Sequence, residues 1–127
     1  MAQRILAAVA AVILVMGVAT TGVSAHASLV RCSIKNGQVF KVGHTPSMVK
    51  AFFAEELTPS QSWITVYEGQ ADHGQIEKQR WVVNYKNPKE IDLRLPTLIK
   101  EKYYLIWHTQ SSVDQHFAAG IVYFQVK

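Results

Sequence analysis

The chain has 127 residues, 49% of them hydrophobic, with 13 Lys and Arg against nine Asp and Glu and a formal net charge of +4. A surplus this mild, spread over scattered lysines from Lys35 to Lys102, excludes a nucleic-acid-binding protein, which needs a clustered basic face to follow phosphates. The single cysteine, Cys32, excludes an internal disulfide, so packing alone must hold the fold.

Residues 1–25 read as an export signal: Arg4 near the start, an apolar run from Ile5 to Ala19, and small residues at Val23, Ser24 and Ala25 ahead of a cut. That run is shorter than the roughly 18 to 20 residues of a spanning helix, so cleavage rather than retention as an anchor is expected, with no stable membrane insertion afterwards. Cleavage after Ala25 makes His26 the first residue of a single domain, 26–127, whose formal charge falls to +3 because only Arg4 is lost. Ala25-His26-Ala27 is also an A-x-A pattern, and a cut after Ala27 would discard His26. Either cut places the product in the periplasm or outside the cell.

Beyond the signal the chain reads as strands and turns. Ser28 to Lys35 alternates, with Val30, Cys32 and Ile34 expected on one side, and ends at the Asn36-Gly37 turn. Met48 to Ala54, Trp63 to Tyr67, Arg80 to Tyr85, Ile91 to Leu95, Tyr103 to Thr109 and Ile121 to Val126 carry the β-branched and aromatic bias of sheet. Gly43 to Pro46, Thr58-Pro59-Ser60, Gly69 to Gly74, Asn87-Pro88 and the loop from Ser111 to His116 separate them. About seven short strands in about 100 residues predict an all-β, antiparallel Greek-key sandwich or barrel of immunoglobulin-like or cupredoxin-like form. Strand Ile91 to Leu95 alternates apolar and polar residues and should have one wet face. Trp63, Trp81 and Trp107 are expected in the core, as is Cys32.

Chemistry rests on the five histidines, His26, His44, His73, His108 and His116. His116 closes Asp114-Gln115-His116, and in an extended segment residues two apart point to the same side, so a carboxylate and an imidazole could address one ion. Alone that pattern is weak, since a surface Asp and His more often simply hydrogen-bond one another. An N-terminal histidine is more telling: its α-amine and its own Nδ1 can close a chelate ring, and a second histidine adds a third nitrogen. Nitrogen-rich tetragonal sites of this kind suit Cu(II). The amine exists only after cleavage. His44 and His73 read as turn residues. His108, next to Trp107 on a strand, should point to solvent or an edge, or stand behind the metal loop.

His26-Ala27-Ser28-Leu29-Val30, Gly37 before a strand, Phe53-Ala54-Glu55-Glu56-Leu57, and Trp107…Ser111-Ser112-Val113-Asp114-Gln115-His116…Gly120…Phe124-Gln125-Val126-Lys127 together resemble the CopC family of exported copper-resistance proteins. The resemblance spans essentially the whole mature chain. It implies a Cu(II)-binding carrier or buffer, not an enzyme, holding one Cu(II) per chain through His26, Asp114 and His116, with Glu55 at the position of the family's F-S-E glutamate as a supporting or weak ligand. It also implies delivery to an inner-membrane copper transporter or another periplasmic copper protein, by a protein expected to be a monomer. The chain departs from the family pattern in three places: Val113 is inserted between Trp107 and Asp114, Phe117 stands where the family has Pro, and Ala54 replaces the Ser of F-S-E. Gly120 and Phe124 keep their offsets from His116, which predicts a bulge rather than a lost register. The methionine-rich loop with which some members hold Cu(I) is missing, because Met48 alone lies outside residues 1–25, so no Cu(I) site is expected. Two rivals share parts of the pattern: a histidine-brace copper oxidase or monooxygenase, and a metal-free immunoglobulin-like interaction module.

Overall fold

Alternating apolar and polar residues, interrupted by Gly, Pro and Asn turns, fold this chain into two facing sheets. The structure, a computed structural model, describes residues 26–69 and 74–127. The expected export segment, with Arg4 and its cut after Ala25, lies outside the described residues, and so does His73. No helix among the described residues is long and apolar enough to cross a membrane.

Eight strands are described: β1 (Leu29–Cys32), β2 (Gln38–Phe40), β3 (Met48–Phe53), β4 (Trp63–Glu68), β5 (Arg80–Val83), β6 (Glu90–Arg94), β7 (Glu101–Gln110) and β8 (Phe117–Val126). They form one four-stranded sheet in the order β1-β3-β6-β5 and a second in the order β2-β8-β7-β4. The fold is the all-β sandwich expected, with one strand more. β2 is three residues long, too short to show an alternation, and it runs parallel to β8 (Gln38 opposite Phe124) while every other pair is antiparallel.

The inward faces meet in one core. Val49, Ala51 and Phe53 of β3 and Ile91 and Leu93 of β6 pack against Ile64 and Val66 of β4, Leu105 of β7, and Val122, Phe124 and Val126 of β8, all almost fully buried. Each large member contributes about 1.5 to 3 kcal/mol by leaving water, which is how the fold dispenses with a disulfide. Tyr103, near the start of β7, is buried and donates its hydroxyl to the Ile99 carbonyl at 2.8 Å, a corner typical of immunoglobulin-like sandwiches. Cys32 is half-buried against the core, and burial pushes its thiol above the usual value.

Three expectations about side-chain direction fail for local reasons. Val30 is 61% exposed, because a bulge between Leu29 and Arg31 turns it outward while Cys32 and Ile34 keep the inward side. Trp81 is 41% exposed because β5 is the edge of its sheet, with only β6 beside it. Trp63 lies half-buried on the outer face of β4, and of the three indoles only Trp107 packs against the core.

β6 does present one wet face, and that face carries an unusual pair. Glu90, 6% exposed, lies beside Asp92, and neither Glu90 Oε2 nor Asp92 Oδ1 has a hydrogen-bond partner among the described residues. Lys50 Nζ approaches Glu90 Oε2 only to 3.9 Å. A proton shared between the two carboxyl groups would satisfy both oxygens. The Asp92 carboxylate as acceptor for a Glu90 proton, then burial, then the charge of Asp92 raise the Glu90 carboxyl above its ordinary value, with Lys50 and Asn87 opposing. A group raised in the folded state stabilises fully below its unfolded value near 4.5, and that contribution is lost as pH climbs through the folded value. Glu90→Gln, whose amide can donate to Asp92 at any pH, is therefore expected to flatten the fall in unfolding free energy as pH rises above 4.5. Urea titrations across that range check it, and an unchanged slope contradicts it.

Candidate metal centre

Two segments far apart in sequence meet at one end of the sandwich. The first is the short arm of His26, Ala27 and Ser28 leading into β1. Ala27 is fully buried, and its carbonyl accepts a 2.6 Å hydrogen bond from Thr109 Oγ1 on the inward side of β7. Ser28 accepts from the Ala54 amide at 2.9 Å. With the backbone held at both residues, His26 emerges at a defined place.

The second segment is the loop joining β7 to β8. The amide of Ser111 donates to the His116 carbonyl and that of Gln115 to the Ser111 carbonyl, each at 2.9 Å, while Ser111 Oγ accepts from the Val113 amide at 3.1 Å. Gln115 takes a left-handed φ of 68°, which lets the chain return within so few residues. Val113 is 66% exposed, so the inserted residue is absorbed outward while the base of the loop stays closed. The offsets of Gly120 and Phe124 predicted this.

Between arm and loop runs the stretch Phe53 to Leu57. Leu57 bridges to Ser111, the Ser112 amide donates to the Glu56 carbonyl at 2.9 Å, and Ala54 already holds Ser28. The backbone of the F-A-E-E-L stretch thus ties both halves of the site together, whatever its side chains do. Glu55 is half-buried there. Below it, Trp107 packs on Phe53 at 5.7 Å and lies across Gly120, its partner on β8. A Cβ on Gly120 would come within 2.5 Å of the indole, which is why the bulky residue and the glycine face one another.

The rings of His26 and His116 sit 5.1 Å apart, nearly edge to face. Both oxygens of Asp114 turn to His116: Oδ1 accepts its backbone amide at 3.1 Å, and Oδ2 lies 3.2 Å from its ring Nδ1. That contact favours the proton on Nδ1 and leaves Nε2 as the nitrogen with a lone pair, as a carboxylate behind a metal-binding histidine does. No three His, Cys, Asp or Glu side chains among the described residues converge as a ready-made cluster. The His116 side chain is 60% exposed and that of Asp114 26%, so the group is open to solvent rather than enclosed.

His108 stands on the outer face of β7, stacked on Trp63 with ring centroids 4.1 Å apart and 5.4 Å from Phe117, its Nδ1 3.2 Å from the Gln61 carbonyl. Thr109, its neighbour, faces inward and carries the arm, so His108 and the Ala27 clamp occupy opposite sides of the sheet. His44 is exposed and belongs to a turn. The sequence reading passed over Thr109 and Ser111, both fully buried. A threonine at an inward position near the end of a strand, and a serine just after it, were the available signal.

The CopC domain family model matches residues 29–127, from the first strand through the loop and the last strand. The chain belongs to the CopC family. Among solved structures it is similar to CopC from Methylosinus trichosporium OB3b, at 24% identity and a TM-score of 0.68 over 80% of this chain and 94% of that one. It is also similar to PcoC, a methionine-rich copper resistance protein from Escherichia coli, at 22% identity and a TM-score of 0.64 over 80% of this chain and 99% of that one. At these identities the likeness establishes the CopC fold. No curated protein matches the chain.

Proposed function

We propose that the chain is an exported Cu(II)-binding protein, a carrier or buffer in copper homeostasis or resistance, that acts without catalytic turnover. The observation that carries this reading is the placement of His26 beside His116 by a buried backbone clamp, in a protein of the CopC family whose solved relatives include a copper resistance protein. After cleavage at Ala25, the new α-amine and the His26 ring chelate one Cu(II) and His116 Nε2 adds a third nitrogen. Asp114 contributes negative charge, by holding His116 as seen or, after rotation, by binding the ion itself. Nitrogen-rich, charge-compensated donors suit Cu(II) over softer ions. Glu55, half-buried on the stretch that joins arm and loop, adds further negative charge nearby.

Cu(I) storage by thioethers is not part of this reading, because Met48, half-buried on β3, is the one methionine outside residues 1–25. The open setting of His116 suits handover to a membrane transporter or another periplasmic copper protein. Because the ion must displace a proton from the amine, acid promotes release. The test is titration of the protein beginning at His26 with Cu(II) at neutral pH, read by electron paramagnetic resonance. One equivalent with nitrogen coupling is expected, and no uptake overturns the proposal. Intact mass of the exported protein identifies its first residue.

A further inference from the structure

Thr109 is fully buried on the inward face of β7, and its hydroxyl reaches two carbonyls, Ala27 at 2.6 Å and Ala118 at 3.5 Å. A hydroxyl carries one proton, and these distances assign it to Ala27, 82 residues away in the chain. We propose that Thr109 is a positioning residue for the metal centre: by holding the Ala27 carbonyl it fixes the residue that bears the amine against His116. The inference rests on the Cu(II) reading above and adds the element that aligns its two halves.

The argument turns on where relaxation is cheapest. Without the hydroxyl, the Ala27 carbonyl is left buried and unbonded, a state worth avoiding by any available movement. Only His26 precedes Ala27 in the mature chain, whereas Leu29 and Arg31 are paired with β3. The arm can therefore lift into water while the sandwich stays intact. The chelate atoms within His26 travel together, so they still bind copper. What is lost is their alignment with His116.

Thr109→Val keeps the shape and removes the donor. In the protein beginning at His26 we expect Cu(II) affinity to fall about tenfold, the order of one buried hydrogen bond. In the metal-free protein, nuclear magnetic resonance order parameters at Ala27 should drop while those of β3 and β7 are unchanged. Thr109→Ser should restore both, and in a His116→Ala background Thr109→Val should cost no further affinity. Wild-type affinity in Thr109→Val, an arm that stays ordered, or an equal loss in the His116→Ala background would each overturn the inference while leaving the Cu(II) reading in place. Failure of the unaltered protein to take up Cu(II) would overturn both.

Discussion

Acetylation of the His26 α-amine in the protein cut after Ala25 is expected to weaken Cu(II) binding at least a hundredfold. The acetyl group turns the primary amine into an amide without supplying another amine, so the chelate that joins that nitrogen to the His26 ring no longer closes on a good donor. His26 and His116 then act as two separate imidazoles. A hundredfold corresponds to about 2.7 kcal/mol, a modest figure for losing one of three nitrogen donors. An α-amine is largely protonated at neutral pH in peptides, so affinity in the correctly cut protein should rise with pH as the proton becomes easier to displace. That dependence should shrink in the acetylated form. Competition titrations with a chelator at several pH values measure both effects, and equal affinity in the two forms would rule out the amine as a ligand.

The second large effect is expected on the fold. Gly120→Ala places a carbon 2.5 to 2.6 Å from Cζ2, Cε2 and Nε1 of Trp107, a separation that real contacts do not tolerate. Rigid indole and strand backbone meet there, so one must move. Trp107 is also wedged against Phe53, which itself pairs with Leu29 of the arm-bearing strand. Overpacking of this kind costs roughly 1 to 3 kcal/mol, which in a domain of this size lowers Tm by about 5 to 20 °C. Combining Gly120→Ala with Trp107→Leu should recover part of the loss, since the smaller side chain vacates the space, and the two changes should be far from additive. Thermal unfolding of the single and double variants checks this. A Gly120→Ala protein as stable as the parent would show that the indole is free to shift.

The Trp107–Gly120 pair also shows how a sequence motif becomes structure. The thirteen-residue separation between them is set by the loop from Ser111 to His116, which brings β8 back beside β7 with Trp107 opposite Gly120. Those residues could be read as a family pattern from their spacing. Their reason could not, because a cross-strand contact exists only once the hairpin has closed. The low strand propensity of Ala118, Ala119 and Gly120 made β8 look as if it began at Ile121, whereas pairing carries it back to Phe117. Small residues are tolerated there because the neighbouring strand supplies the bulk.

The same division holds at the candidate metal centre. His26, Asp114 and His116 could be named as candidates from residue type, position after a cleavage pattern and two-residue spacing, and the strand alternation of Ile91 to Leu95 was legible from period alone. Such signals are local, and local chemistry survives in the string of letters. The bulge that turns Val30 outward, the exposure of Trp81 on an edge strand, the buried meeting of Glu90 with Asp92, and the grip of Thr109 on Ala27 were not legible. Each depends on which strand lies beside which, and that is settled by how two sheets bury their apolar faces together rather than by any run of neighbouring residues.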